Sequence, residues 1–174
     1  MTESPADGVL QHPSTLSEIE LLKQCQSRRQ RRSGPGGQHR NKVETAVVFT
    51  HLPSSIQGRA SERRSQGENR KQALFRLRIR LALELRGTRV TPLSSIWSQR
   101  VQKKRIQIRP GHEDFPAMLS EVLDHLQQTE GELSELTELI DCSNSQLIKF
   151  LKLEPQALVT VNQWRSQSGL NELR

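Results

Sequence analysis

The sequence is poor in aromatic residues: its 174 residues include two Trp, four Phe and no Tyr. So few large apolar side chains argue against an extensive hydrophobic core. They also exclude a broad aromatic face on which single-stranded bases could stack. No run approaches the roughly 20 apolar residues that a membrane-spanning helix needs, so no membrane partner is expected.

Cysteine and histidine are also scarce, and neither forms a recognisable pattern. Cys25 and Cys142 lack C-x-x-C spacing and are expected to be reduced, packed thiols. The five histidines have no metal-ligand spacing, so neither a metal nor a cofactor is expected. The first eight residues contain acids and no apolar stretch, which argues against a secretory or transit peptide. These features predict a soluble, cytoplasmic protein, which we expect to be a monomer.

Charge is divided sharply along the chain, although the whole carries only +7. Residues 1–27 have one Lys/Arg and four Asp/Glu, residues 28–109 have 21 and four, and residues 110–174 have four and eleven. The net charges are therefore −3, +17 and −7. Because a segment as cationic as the middle one repels itself, it is expected to bind a polyanion, with strong salt dependence. Arg predominates there and suits bidentate contacts with phosphate.

Hydrophobic periodicity and turn residues predict an α+β fold in the first half. The expected elements are a short helix at 16–23 capped by Thr15 or Ser17, a strand at 43–50, a turn at 52–55 and a return strand at 56–60. Residues 25–32 are compatible with a further strand. A long helix is expected from Ser65 to about Arg86, with Glu68 completing a capping box and Gly87 ending the helix. A helix packed on a small hairpin sheet is a two-layer unit.

The second half has a different character. Residues 88–110 suggest a basic linker, and after Pro110-Gly111 the apolar residues recur at helical spacing. Helices are expected from about Phe115 to Leu126, from Leu133 to Ile140, and over 145–153 and 156–165. The run from Leu136 to Leu151 has helix-turn-helix spacing. Its acidic surroundings argue against DNA and favour plain helical packing or docking of a protein partner.

A glycine-rich loop, Ser-Gly-Pro-Gly-Gly-Gln-His-Arg-Asn-Lys at 33–42, lies in the most basic part of the chain. Glycine lets a backbone adopt positive φ or approach a ligand closely, and Pro35 fixes one φ. A small shaped tip on a cationic stem suits insertion into a crowded, anionic site made of RNA. A second motif, Glu-Arg-Arg-Ser-Gln-Gly-Glu-Asn-Arg at 62–70, opens the long helix.

These two motifs, in this order and separated by a hairpin, resemble the catalytic domain of class I peptide-chain release factors. The related ribosome-rescue hydrolases share this domain. The tripeptide Gly-Gly-Gln alone would mean little, since it occurs in ordinary turns, but both motifs together are specific. The resemblance implies hydrolysis of the ester between a nascent peptide and tRNA in the peptidyl-transferase centre. The implied partners are large-subunit rRNA and peptidyl-tRNA.

The resemblance also implies roles for individual residues. The backbone N–H of Gln38 stabilises developing charge, as in an oxyanion hole, and the Gln38 side chain shapes the water pocket. Gly36 and Gly37 permit the required backbone. His39 is interpreted as a polar loop residue rather than a general base. The cationic and polar residues expected to contact RNA are Arg31, Arg32, Arg40, Asn41, Lys42, Arg63, Arg64, Arg70, Lys71, Lys103, Lys104 and Arg105. Some of those near the helix start could instead pair with Glu62 or Glu68.

Four segments follow from this interpretation: 1–14 as a disordered N-terminus, 15–87 as the catalytic domain, 88–110 as the linker and 111–174 as an acidic helical subdomain. Release factors that recognise stop codons have additional domains on both sides of the catalytic one. About 30 residues ahead of the loop leave no room for them, so stop-codon-independent rescue is expected. The best-known rescue hydrolases end in a basic tail, however, whereas here the C-terminal region is acidic.

Two other interpretations stay open. A ribosome- or RNA-binding factor could keep the fold without hydrolysis, although the intact Gly36-Gly37-Gln38 tip favours an enzyme. A DNA-binding regulator using the C-terminal helices is disfavoured by their charge.

Overall fold

The computed structural model describes residues 11–30, 45–87 and 93–174. These residues form two compact units. The first unit is Pro13–Glu84, and the second comprises Leu85–Arg174 together with Gln11 and His12. Helices and small antiparallel sheets are both present, which confirms the α+β fold expected from the sequence. In the described ranges, no helix is both long and apolar enough to cross a membrane.

The first unit begins with a single turn of 3-10 helix at Pro13–Thr15 and helix α1 at Glu18–Lys23. Helix α1 starts two residues later than expected, because Ser17 is the N-cap. The Ser17 Oγ accepts from the Glu20 N–H at 3.3 Å, and a Glu20 carboxylate oxygen accepts from the Ser17 N–H at 3.1 Å. This reciprocal pair satisfies two backbone donors at the start of the helix.

A three-stranded antiparallel sheet follows, made of β1 (Cys25–Gln30), β2 (Ala46–His51) and β3 (Gln57–Ala60) in that order. The expected hairpin of β2 and β3 is confirmed, and the stretch after α1 is indeed a strand. Strand β2 lies in the centre and is almost wholly buried, as its run of β-branched and aromatic residues indicates.

Helix α2 (Gln66–Glu84) packs on this sheet and buries Ala73, Leu74, Leu77, Leu81 and Ala82. It starts as expected after Ser65, whose Oγ accepts from the Glu68 N–H at 3.3 Å. Its end at Glu84 comes slightly before the expected Arg86. The helix reaches β3 at Gly58, where an added Cβ would lie 2.2 Å from the Ala73 carbonyl oxygen and 2.4 Å from the Leu77 nitrogen. Only a residue without a side chain allows so close an approach.

The second unit contains folded structure in the stretch expected to be a linker. Residues 93–110 include helix α3 (Ile96–Arg100) and a hairpin of β4 (Val101–Gln102) and β5 (Arg105–Ile106). Such short elements leave too few residues for a periodic signal, which explains why the sequence suggested only a link. The division of the chain into four segments otherwise stays a prediction.

Four helices complete this unit, and each corresponds to one expected from the sequence: α4 (Phe115–Gln128), α5 (Ser134–Ile140), α6 (Asn144–Leu151) and α7 (Pro155–Gln167). Their core joins Trp97 of α3 to Phe150, with ring centroids 5.8 Å apart, and Phe115 to Phe150 at 5.3 Å. The Trp97 indole N–H donates to Glu121 at 2.6 Å, and burial raises the pKa of Glu121. Helix α3 is therefore bound into the helical core.

Candidate functional site

The glycine loop lies outside the described residues, so the roles expected for Gly36, Gly37 and Gln38 stay predictions. The same holds for Arg31, Arg32, Arg40, Asn41 and Lys42. The structure does describe the two chain ends from which this segment departs. Gln30 closes β1, Thr45 precedes β2, and Gln30 pairs with Ala46 in the antiparallel register. The loop segment therefore begins and ends at adjacent positions of a paired sheet.

Asn69 anchors the returning end of that segment. Its side chain is fully buried near the start of α2, and its Nδ2 donates to the Thr45 carbonyl at 2.7 Å and to the Arg63 carbonyl at 2.9 Å. Its Oδ1 accepts from the Arg63 N–H at 2.9 Å. One amide thus joins three parts of the chain: the residue after the loop segment, the turn before α2 and the helix itself. Asn69 belongs to the second sequence motif, but the sequence did not indicate its role. The one available signal was a polar residue in the first turn of an amphipathic helix, a position that the structure shows to be buried.

Arg63 and Arg64 stand on the turn that Asn69 holds. Both side chains are exposed, and neither makes a hydrogen bond or ion pair with any residue in the described ranges. Because the Arg63 backbone is fixed through both its N–H and its carbonyl, this part of the turn has a defined position. Lys71, one turn into α2, is equally exposed and has no partner in the described part of the chain. These three cations are available to bind an anion.

Arg70 has a different environment. Its guanidinium carbon lies 5.1 Å from the centroid of the buried Phe49 ring, a cation–π contact. Arg70 also lines an open pocket of about 110 Å³ together with Arg29 and residues of β1, β2 and the first turn of α2. Two guanidinium groups on one pocket make its surroundings positive, and Phe49 restricts the orientation of one of them.

Other arginines of α2 bind the protein itself. The Arg76 guanidinium donates to the Arg59 carbonyl at 2.8 Å and to Glu62 at 2.6 Å. Arg80 donates to the Gln57 carbonyl at 2.8 Å and to Glu84 at 2.7 Å. These bonds cap carbonyl groups of β3, an edge strand. Positive charge in the sequence therefore overstates the number of cations that are free to contact a ligand.

Glu62 does not pair with any of the candidate cations, which answers one alternative left open by the sequence. Its partner is Arg76, and the hydrogen bond from that guanidinium is the main reason why the pKa of Glu62 falls from 4.5 to about 2. Glu62 is therefore ionised at neutral pH and holds Arg76 near the sheet. It leaves Arg63 and Arg64 unneutralised.

Lys103, Lys104 and Arg105 lie in the second unit. They form the tip and the following strand of the β4–β5 hairpin, and all three are exposed. Arg100, a few residues earlier, is bound internally: its Nε donates to Asp114 at 2.8 Å. The structure thus separates one half-buried arginine, which is paired with Asp114, from three cations at an exposed turn.

His51 is buried, and Cys25 and Cys142 are partly buried. His51 contacts the Ser54 Oγ at 2.7 Å and the Gln24 Oε1 at 3.0 Å, and burial lowers its pKa. Cys25 and Cys142 are free thiols, and burial raises the pKa of each, that of Cys142 to about 11. A raised pKa disfavours the nucleophilic thiolate, which agrees with packing roles.

Comparison with known proteins assigns this chain to a family. The sequence model of the RF-1 domain family matches residues 18–115, which include the β1–β3 sheet, α2, the β4–β5 hairpin and the glycine loop segment. The chain belongs to the RF-1 domain family. The resemblance read from the two sequence motifs is therefore confirmed at the level of the release-factor family.

Several curated relatives of this RF-1 domain protein are peptide chain release factors. It is 35% identical over 111 residues to the chloroplastic peptide chain release factor PrfB1 of Arabidopsis thaliana, covering 54% of this chain and 24% of the relative. It is 33% identical over 126 residues to peptide chain release factor 2 of Bordetella pertussis, covering 72% and 30%. It is 53% identical over 53 residues to peptide chain release factor 1 of Symbiobacterium thermophilum, covering 30% and 15%. The chain thus spans less than a third of these relatives.

Proposed function

We propose that this RF-1 domain protein hydrolyses the ester between a nascent peptide and tRNA in the peptidyl-transferase centre of the ribosome. The observation that carries the proposal is the family match over residues 18–115, a span that contains Gly36-Gly37-Gln38. The relatives reported above are named as peptide chain release factors, which supports the same reaction class.

The proposed reaction needs few protein groups. Water attacks the ester carbonyl carbon, the bond to the tRNA ribose oxygen breaks, and the peptide acid and the tRNA hydroxyl are released. The Gln38 N–H would donate to the oxygen on which negative charge develops, a contribution often worth a few kcal/mol. Gly36 and Gly37 would allow the backbone to aim that donor, and the Gln38 side chain would orient the water. The RNA would hold the substrate in place.

The described residues support this proposal through the base of the loop. Strands β1 and β2 pair up to Gln30 and Ala46, and Asn69 binds the carbonyl of Thr45. A catalytic tip held on regular strands and a buried amide is positioned more precisely than one on an unanchored loop. Arg63, Arg64 and Lys71 would contact RNA phosphates, and Arg70 would do so from its position over Phe49. Such contacts position a protein and make its affinity depend on salt.

We further propose that this polypeptide acts without a stop codon, in the cytoplasm, on stalled ribosomes or on split large subunits. In support, the residues matched by the RF-1 domain family include the glycine loop, and the two motifs of that segment resemble those of the ribosome-rescue hydrolases. Peptide release by this chain from ribosomes without a stop codon is therefore the activity to test first.

The test is release of labelled peptide from ribosomes that carry P-site peptidyl-tRNA and have no stop codon in the decoding site. Ribosomes on truncated mRNA, ribosomes on long mRNA and isolated large subunits would be compared, with Gly36→Ala as the inactive control. We expect release by the wild type and none by Gly36→Ala, and the preferred complex identifies what is rescued. Binding without release from any complex would instead support a non-hydrolytic ribosome-binding factor. A further complex with a stop codon in the decoding site is included, and release from that complex alone would refute codon independence.

A further inference from the structure

The two residues at the tip of the β4–β5 hairpin have an unfavourable backbone conformation. Lys103 has φ 49° and Lys104 has φ 62°, and these two residues alone connect Gln102 to Arg105 across the hairpin. Two successive positive φ values define the tight turn that Asn-Gly or Gly-Gly normally occupies. The Cβ of lysine makes positive φ unfavourable, and a strained non-glycine residue is a reason to look for a function.

The surroundings of this tip leave its charges accessible. Gln102, Lys103, Lys104 and Arg105 are all exposed, whereas Val101 and Ile106 are partly covered and β5 packs against α6. The Lys104 Nζ lies 3.9 Å from a carboxylate oxygen of Asp141, but these two side chains are 75% and 77% exposed. Such solvent-exposed pairs are weak and are screened by salt. The side chains of Lys103 and Arg105 have no partner among the residues that the structure describes.

The chemistry of the tip favours a polyanion over a protein surface. Stable protein interfaces rely on buried aromatic or aliphatic anchors, and every exposed side chain of this hairpin is polar or charged. The three cations are consecutive residues of one hairpin, whereas the chain from residue 110 onward has a net charge of −7. A compact cluster of Lys and Arg on a fixed turn matches the phosphate oxygens of RNA.

We propose that the hairpin tip, Lys103-Lys104-Arg105, is an RNA-backbone contact that brings the second unit onto the ribosome. The proposal rests on the part of the proposed function that makes the ribosome the partner of this protein, and it does not depend on hydrolysis. The contact would add affinity without reading sequence, since phosphate contacts carry no base information. The acidic helices would remain away from the RNA around it.

The hairpin offers a substitution that removes the charge and keeps the fold. Lys103→Asn/Lys104→Gly introduces the pair that this turn prefers, so we expect the melting temperature to be unchanged or higher. The matched control, Lys149→Gln/Lys152→Gln, removes the same charge from the exposed positions of α6 and the residue after it. Affinity of the full chain for ribosomes would be measured between 50 and 200 mM salt, about the range where phosphate contacts dominate.

We expect the hairpin variant to bind more weakly and its log–log salt slope to be shallower by about 1.4–1.8, as expected for two lost phosphate contacts. The control should keep the wild-type slope. A hairpin variant with the wild-type slope and affinity, or one that matches the control, would overturn the proposal, as would salt-independent binding by the wild type. Because Gly36→Ala binding would be measured in parallel, loss of hydrolysis cannot be mistaken for loss of this contact.

Discussion

At the scale of single residues, Asn69 shows how a buried amide fixes Thr45, the residue that follows the glycine loop segment. Three of its hydrogen-bonding positions are used, one on Thr45 and two on the Arg63 backbone. All three partners are main-chain groups, which cost free energy if they are buried without a bond. The side chain is therefore important both for stability and for the position of Thr45.

The first prediction concerns Asn69→Ala. Loss of the amide leaves three backbone groups short of a partner, so we expect the free energy of unfolding to fall by about 2–4 kcal/mol. Denaturant unfolding measures this, with Asn171→Ala as a control because Asn171 is exposed in the second unit. If the two variants were equally stable, the anchoring role of Asn69 would be wrong.

Residue roles of this kind were only partly predictable. The motif and the charge predict Arg63, Arg64 and Lys71 as RNA contacts or as partners of Glu62 or Glu68. Their exposed side chains are compatible with RNA contact, which stays a prediction. The bonds from Arg76 and Arg80 to β3 were not foreseen, because their carbonyl acceptors lie 17 and 23 positions earlier in the chain. Only the fold brings such partners together.

At the scale of elements, the contact between α2 and β3 determines how closely the helix lies on the sheet. Gly58 faces the backbone at Ala73 and Leu77, with no space for a methyl group. The backbone atoms of a helix cannot move aside as a flexible side chain can. If this glycine is replaced, α2 and β3 must move apart, which disturbs the packing of the buried leucines of α2.

We therefore expect Gly58→Ala to destabilise the protein by about 2–3 kcal/mol or more through overpacking. Gly67→Ala is the matched control, because its new Cβ has nothing closer than the Ser65 Oγ at 3.6 Å and alanine favours a helix. Thermal unfolding of both variants checks the prediction. A Gly58→Ala protein as stable as Gly67→Ala would contradict the close contact.

Sequence periodicity predicted the long elements well. Helices α2, α4, α5, α6 and α7 and the β2–β3 hairpin all follow from apolar spacing, caps and turn residues. Helix α3 and the β4–β5 hairpin were missed for physical reasons: each is short, and Lys-Lys is not a recognised turn sequence. Trp97 is held by Glu121 and Phe150, contacts that only the folded chain creates.

At the scale of the whole molecule, charge and family membership both support the proposed hydrolysis of peptidyl-tRNA on the ribosome. The family match covers the basic sheet-and-helix unit, and the acidic helices lie mostly beyond residue 115. The sequence motifs predicted the family, and the match confirms it. Stop-codon independence and the role of the acidic helices stay predictions, because substrate choice depends on the ribosome as much as on this chain.

The central claim is that the backbone N–H of Gln38 serves the proposed ester hydrolysis. Single-turnover peptide release from ribosomes without a stop codon tests it most directly, with Gln38→Pro compared with Gln38→Ala. Proline removes the N–H and alanine keeps it. We predict that Gln38→Pro slows release by about 10²–10³-fold or more, while Gln38→Ala retains measurable release. Equal release by wild type and Gln38→Pro, with equal ribosome binding, would contradict the account.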